Sequence, residues 1–304
     1  MDWKKVGAIL VIVLLFTALS GCIGTPTTER ASKSSVVDSL GRNVSIPKKV
    51  DRIVSLAPSN TEILFALGLG DKVVGVTDYC DHPPEARKKD RVGGFSTVNI
   101  EKVVSLAPDL ILATGGVQEP IVRALESLDL TVVALDAKSI SDVIDNIKLV
   151  GDITGREMEA EELAGSMEST IETVVGRTRD EQKQRVFYVT WHDPLMSAAH
   201  GTLAHELIQL AGGINIAADA KTKYPVYSLE MLVERNPEII IVSSKHGVGG
   251  PTVESIRALL RDTNISAVRS DRIHGIDTDL VARAGPRIVD GLEEMARFIH
   301  PEGE

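Results

Sequence analysis

The feature that most constrains this chain is an internal repeat. The stretch Asn99-Ile-Glu-Lys-Val-Val-Ser-Leu-Ala-Pro-Asp-Leu-Ile-Leu-Ala113 aligns without a gap on Ser228-Leu-Glu-Met-Leu-Val-Glu-Arg-Asn-Pro-Glu-Ile-Ile-Ile-Val242, so that Glu101 matches Glu230 and Pro108 matches Pro237. Each copy reads as a helix, a proline that cannot continue it, and a buried strand. Upstream, Glu62-Ile-Leu-Phe-Ala-Leu-Gly68 is similar to Glu206-Leu-Ile-Gln-Leu-Ala-Gly212, each following a strand and a loop. A unit that occurs twice predicts two similar lobes.

Between the copies, residues 154–178 read as one long helix. Thr154 with Glu157 has the form of a capping box, and Leu163, Met167, Ile171 and Val174 fall on one stripe. Acidic residues crowd its first turns and Arg177 and Arg179 close it, which suits the helix dipole. Its length is roughly 35 Å at 1.5 Å per residue, enough to brace two lobes.

Around it, apolar runs at 52–56, 73–76, 110–113 and 132–135 alternate with short helical patterns at 63–67, 100–106 and 120–128. Such alternation implies parallel strands with crossover helices. The expected fold class is α/β: two similar lobes with central parallel sheets flanked by helices, joined by the long helix. The boundaries expected are 51–138 for the first lobe, 139–180 for the connecting helices and 181–304 for the second lobe. In open parallel sheets ligands sit beyond the carboxyl ends of the strands, so facing lobes place a site in the cleft between them.

With 304 residues, 43% of them apolar, the chain can bury two cores, and a net charge of -10 argues against nucleic acid as a partner. The first 22 residues read as a targeting segment. Lys4 and Lys5 precede an apolar run at 6–17 that is too short for a comfortable membrane span. Leu19-Ser20-Gly21-Cys22 then resembles the lipobox of prokaryotic lipoproteins. That resemblance implies cleavage before Cys22, lipid attachment to its thiol, and tethering to the outer face of the cytoplasmic membrane. Residues 23–35, rich in Thr, Ser and Pro, open a flexible tether and entry segment spanning 23–50. Cys80 is the only other thiol, so an intrachain disulfide is not expected.

Several stretches together carry a family resemblance: Ser55-Leu-Ala-Pro-Ser-Asn-Thr-Glu62, Gly75-Val-Thr-Asp-Tyr-Cys-Asp-His-Pro-Pro84, Asn99-Ile-Glu101 with Pro108-Asp109, and Ala284-Gly-Pro-Arg287. In this order, over residues 52–299, they resemble the helical-backbone class of substrate-binding lipoproteins of ABC importers, with the class III periplasmic-binding fold. That group takes cobalamin, iron-siderophores and haem, and the cobalamin-binding members share the Asn-Thr-Glu and Tyr-x-Asp-x-Pro-Pro stretches.

The resemblance implies a monomeric binding protein with a pocket lined by aromatic faces. Tyr79 matches a tyrosine that family members lay against the corrin. Phe95 and Tyr224 fall where cobalamin binders carry tryptophan, so the aromatic character is kept with smaller rings. Trp191, an indole in the loop after a strand, adds a candidate clamp from the second lobe. Pro58, Ser59 and Asn60 are expected to present backbone N–H groups from a helix start. Asp279 and Arg283 are expected to face them, with helix-cap and ion-pair roles as the alternative. Glu101 and Glu230 are explained locally by the helix dipole. In the resembling family the matching glutamates dock with arginines of a dimeric permease, which works with its ATPase subunits.

Other readings are open. Cys80 or His82 could be an axial ligand to cobalt or haem iron, or plain loop residues; no other metal ligand is expected. His200 and His205 are spaced wrongly for a zinc helix, no G-x-S-x-G elbow is present, and Gly247-Val-Gly-Gly250 lacks the dinucleotide pattern. No catalytic residue and no enzyme cofactor is therefore expected, with an extracytoplasmic α/β enzyme as the distant alternative. As transport ligand a corrinoid comes first, a ferric siderophore second and haem third. Aromatic faces suit a flat macrocycle, while the named stretches offer an anionic chelate only Arg283.

Overall fold

The computed structural model describes residues 35–244 and 249–301; the targeting segment with Cys22, and Gly247, lie outside the described residues. The described residues belong to one compact unit. The chain enters through an antiparallel pair, β1 (Ser35–Val37) and β2 (Asn43–Ser45). Then follow β3 (Ile53–Ser55), α1 (Pro58–Ala66), β4 (Val73–Val76), β5 (Asp90–Arg91), α2 (Ile100–Ser105), β6 (Leu110–Ala113), α3 (Glu119–Glu126) and β7 (Val132–Ala134). These strands form one parallel sheet in the order β5-β4-β3-β6-β7.

Two helices, α4 (Ile140–Thr154) and α5 (Glu157–Thr178), cross to the second half. There the order is β8 (Gln184–Val189), the hairpin β9 (Trp191–His192) with β10 (Leu195–Met196), α6 (Leu203–Leu210), β11 (Gly213–Asn215) and α7 (Leu229–Arg235). β12 (Ile239–Ser244), α8 (Val253–Leu260), α9 (Ser266–Arg269), β13 (Ile273–Asp277), α10 (Thr278–Ala282) and α11 (Ile288–Ile299) complete it. Its parallel sheet runs β11-β8-β12-β13, the same connectivity as β4-β3-β6-β7.

The repeat extends to single hydrogen bonds. After α2 and α7 the chain takes the left-handed conformation at Ala107 (φ 42°) and Asn236 (φ 41°), immediately before Pro108 and Pro237. Asp109 then accepts the N–H groups of Asp51 and Arg52, each at 2.9 Å, and Glu238 accepts that of Arg185 at 2.7 Å. Arg52 Nε donates to the Ala107 carbonyl at 3.2 Å and Arg185 Nε to the Asn236 carbonyl at 3.2 Å. The same bracket thus pins the end of α2 against β3 and the end of α7 against β8. Buried backbone groups at a helix end must find partners, and the guanidinium and carboxylate supply them.

The connection differs from the expectation in one detail. Thr154 ends α4 instead of capping α5, and its hydroxyl donates to the Val150 carbonyl at 2.6 Å. Gly155 (φ 71°) is the left-handed residue that lets the chain turn, and Arg156 precedes α5 without a side-chain cap. A Cβ at Gly151 would overlap that of Ala160, so the two helices can approach only because Gly151 has none. α5 packs on α4, α6 and α11, and α4 also touches α1, so the brace is a helical pair.

One cluster of buried apolar side chains runs from Ile63 and Leu64 of α1 through Ile147 of α4 and Met167 of α5 to Leu207 of α6 and Leu292 of α11. Two further clusters cover the opposite faces of the sheets. The entry segment is less of a tether than its composition implied. Val36, Val44, Ile46 and Val50 are buried in the main cluster, and Asp38 accepts the N–H of Ala134 at 3.0 Å.

Candidate functional site

A cavity of roughly 540 Å³ opens at the carboxyl ends of β7, β8 and β12. From the first half come residues 136–138, which follow β7. From the second come Tyr188 and Thr190 at the end of β8, Ser243 on β12, the start of α6, Tyr224, and Val281, Ala282 and Ala284. Burial pushes the Tyr188 phenol up, against the hydrogen bond it shares with Ser243, so it acts as a neutral hydroxyl. Thr190 Oγ1 is buried and has no partner among the described residues. Lys138 pairs with Asp136 at 3.7 Å, and Lys223 also lines the wall.

Beside the cavity a cluster of charges ties the halves together. Glu62 of α1, 4% exposed, accepts two hydrogen bonds from Arg287, at 2.6 and 3.0 Å, and one from Arg283 at 3.3 Å. Arg283 also meets Asp81 at 2.8 Å and Asp279 at 2.9 Å. Burial works to raise the Asp81 carboxyl, but Arg283 outweighs it and holds the group below its ordinary value. For Asp279 burial wins, and its carboxyl rises despite Arg283. Three carboxylates thus surround two guanidinium groups, and Arg283 is paired with all three. A Cβ at Gly285 would come within 3.2 Å of the Glu62 carboxylate, so the loop 284–287 packs closely on α1 there.

The sequence matches the model of the family described as periplasmic binding protein over residues 53–280. The chain belongs to that family. It is 35% identical to the uncharacterized ABC transporter substrate-binding lipoprotein YvrC of Bacillus subtilis, over 98% of each chain. Among solved structures it is similar to the periplasmic vitamin B12 binding protein BtuF of Vibrio cholerae, with 31% identity, a TM-score of 0.71 and coverage of 82% of this chain and 96% of that one. It is also similar to the periplasmic heme-binding protein RhuT of Roseiflexus sp. RS-1, with 28% identity, a TM-score of 0.72 and coverage of 83% and 98%. The chain is a substrate-binding protein of an ABC transporter, close to vitamin B12-binding proteins.

In this binding protein the expected ligand residues lie in loops and a hairpin that follow strands and at the ends of helices. Of them, Tyr224 lines the cavity; Asp279 and Arg283 flank it, engaged with each other. Tyr79 and Tyr224 project into solvent, 62% and 55% exposed. Asp81, two residues from Tyr79, is the partner of Arg283, so the Tyr79 loop is tied to the rim through that pair. Phe95 is half-buried in the loop before α2. Pro58 starts α1, but as a proline it has no N–H to offer. Asn60 spends its side chain on the Ala113 carbonyl at 2.9 Å, leaving the backbone of Ser59 and Asn60, which no side chain caps. Trp191 lies half-buried in the β9 hairpin outside the cavity lining, with its indole N–H donating to the Asp193 carbonyl at 2.8 Å.

The axial-ligand reading of Cys80 is corrected: its side chain is fully buried in the main core, with its sulfur 3.2 Å from the Thr77 hydroxyl. His82 is half-buried. Glu101 and Glu230 are both exposed and both second in their helices, behind Asn99 and Ser228, which accept the N–H groups of Lys102 and Met231 at 2.9 and 3.2 Å. Helices that lead back into parallel strands begin at the strands' carboxyl ends, which is the cavity's side of each sheet. Sequence reasoning missed Tyr188, Thr190 and Ser243 because residues of a buried strand look like core until the strand's end is located. Among the described residues no helix is long and apolar enough to cross a membrane.

Proposed function

We propose that this protein captures cobalamin or a related corrinoid between its two halves and delivers it to an ABC permease, without catalysing a reaction. The observation that carries the reading is the pair of exposed tyrosine rings, Tyr79 and Tyr224, held at the strand ends of opposite halves. Exposed rings beside a cleft suit the faces of a macrocycle. The pairing of Arg283 with three carboxylates points the same way, because that cation is already neutralised within the protein. Thr190 Oγ1 and the Tyr188 hydroxyl would meet peripheral amides. Relatives that bind vitamin B12 support the assignment. In this reading Cys22 carries the lipid anchor at the outer face of the cytoplasmic membrane, the protein acts as a monomer, and Glu101 and Glu230 meet the permease.

A second reading, haem or a ferric siderophore, draws on Lys138 and Lys223 at the cavity wall, which would pair with carboxylates. Calorimetric titration of the lipid-free protein with cyanocobalamin, haemin and ferric siderophores separates the two. Saturable binding of cyanocobalamin, weakened by about 1 to 3 kcal/mol in Tyr79→Ala or Tyr224→Ala, supports the corrinoid reading. Binding of haemin or ferric siderophore alone replaces it.

A further inference from the structure

The loop that carries Phe95 is tight. Asp78 donates its N–H to the Gly93 carbonyl at 2.9 Å, and Gly93 bridges Val98 across the loop. Gly93 (φ 97°) has the Thr97 carbonyl so close that no side chain could stand there, and a Cβ at Gly94 would press on the Thr97 hydroxyl. Phe95 sits at the tip, and a tip of this kind needs an outside contact to fix its height above the sheet.

That contact is Gln118. It lies in the single turn before α3 and is completely buried. Its Nε2 donates to the Phe95 carbonyl at 2.8 Å and to the Leu56 carbonyl at 2.7 Å, while its Oε1 accepts the N–H of Thr114 at 2.9 Å. One planar amide therefore joins the Phe95 tip, the residue that leads from β3 into α1, and the end of β6. Both hydrogens and the oxygen are used, and its geometry is fixed from three directions. Other buried polar side chains of this rim hold the sheet to α1, as Asn60 and Thr61 do; Gln118 alone among the described residues reaches the Phe95 tip.

We infer that Gln118 is a positioning residue of the ligand site, setting Phe95 at a fixed distance from the start of α1. The inference rests on the reading of this rim as the ligand site. Its consequence is a coupling: Gln118 acts on the ligand through Phe95 and has no contact of its own to lose.

The test is a double-mutant cycle read by cyanocobalamin titration. Gln118→Met keeps the volume and removes the donors; Gln118→Glu keeps the shape and replaces the amide N–H groups by oxygen. Either change is expected to weaken binding about tenfold through loss of a buried hydrogen-bonded contact, yet by less than about twofold when Phe95 is already Ala. Unchanged affinity in the single variants, or losses that simply multiply in the double ones, overturns the inference. Should both variants fail to fold, nuclear magnetic resonance of the wild-type protein decides: the Gln118 side-chain amide signals are expected to shift on loading, and unmoved signals overturn the proposal. A wild-type protein that ignores cyanocobalamin speaks against the corrinoid reading only, and the same cycle is then run with haemin.

Discussion

Glu62 and Glu206 occupy the same place in the two copies of one helix, and each reaches across to the other half of the molecule with a different result. α1 and α6 both run into a glycine of positive φ, Gly68 at 70° and Gly212 at 77°, so the two carboxylates start from equivalent scaffolds. Glu62 ends between Arg283 and Arg287; Glu206 accepts a single N–H, that of Ile140 at the start of α4, at 3.0 Å. Burial raises the Glu206 carboxyl, and the Ile140 N–H only partly offsets it. The duplication thus preserved the reach of the side chain, and what it meets was rebuilt separately on each side of the cavity. The strands' amino ends behave in the opposite way: two bonds of the bracket of Arg52 and Asp109 recur in Arg185 and Glu238. Scaffold is kept at the strands' amino ends, and difference accumulates at the rim of the cavity.

Removing each carboxylate breaks the comparison most strongly. Glu62→Ala takes from Arg287 its carboxylate partner and from Arg283 one of three, in a buried site, and is expected to cost about 3 to 5 kcal/mol in urea unfolding. Glu206→Ala leaves one backbone N–H wanting and is expected to cost about 1 to 2 kcal/mol. Equal losses would mean that the two links between the halves are interchangeable.

A smaller effect sharpens the contrast at the conserved end. Ala107 and Asn236 share the left-handed conformation, but only Asn236 has a side-chain reason for it, accepting the N–H of Ser266 at 2.8 Å. Ala107→Gly is expected to stabilise by about 0.5 to 1 kcal/mol, since glycine adopts this conformation freely. Asn236→Gly is expected to destabilise by about 1 kcal/mol, because the lost hydrogen bond outweighs the relief of strain. Thermal unfolding of the two variants checks the sign of each change.

What the sequence made legible follows the same division. The repeated helix, proline and strand are written in local backbone chemistry: a capping Asn or Ser, a proline, an apolar run. The charge cluster was not legible as a cluster, because Glu62 lies 221 residues from Arg283 and 225 from Arg287, and no periodicity spans such distances. Its members were nonetheless all singled out, Glu62, Asp81 and Arg287 within the family stretches and Asp279 and Arg283 as ligand groups, when they serve first as each other's partners. Thr154 was misplaced because a threonine three residues before Glu157 fits a helix start as well as the helix end that Gly155 makes of it. Cys80 stays open in the sequence between axial ligand and plain loop residue because a loop's sequence does not tell which residue turns inward, and its side chain is buried. The entry strands hid behind a Thr- and Ser-rich lead, although Val36 and Val44 are what anchors them.

The measurement that bears most directly on this division is amide hydrogen exchange of the wild-type protein with and without cyanocobalamin. Slower exchange on loading is expected in residues 78–82, 94–97 and 222–225, around Tyr79, Phe95 and Tyr224, with no change in the brackets at Ala107 and Asn236. Protection at those brackets, or none at the rim while the ligand binds, would contradict the assignment of the site to the carboxyl ends of the strands.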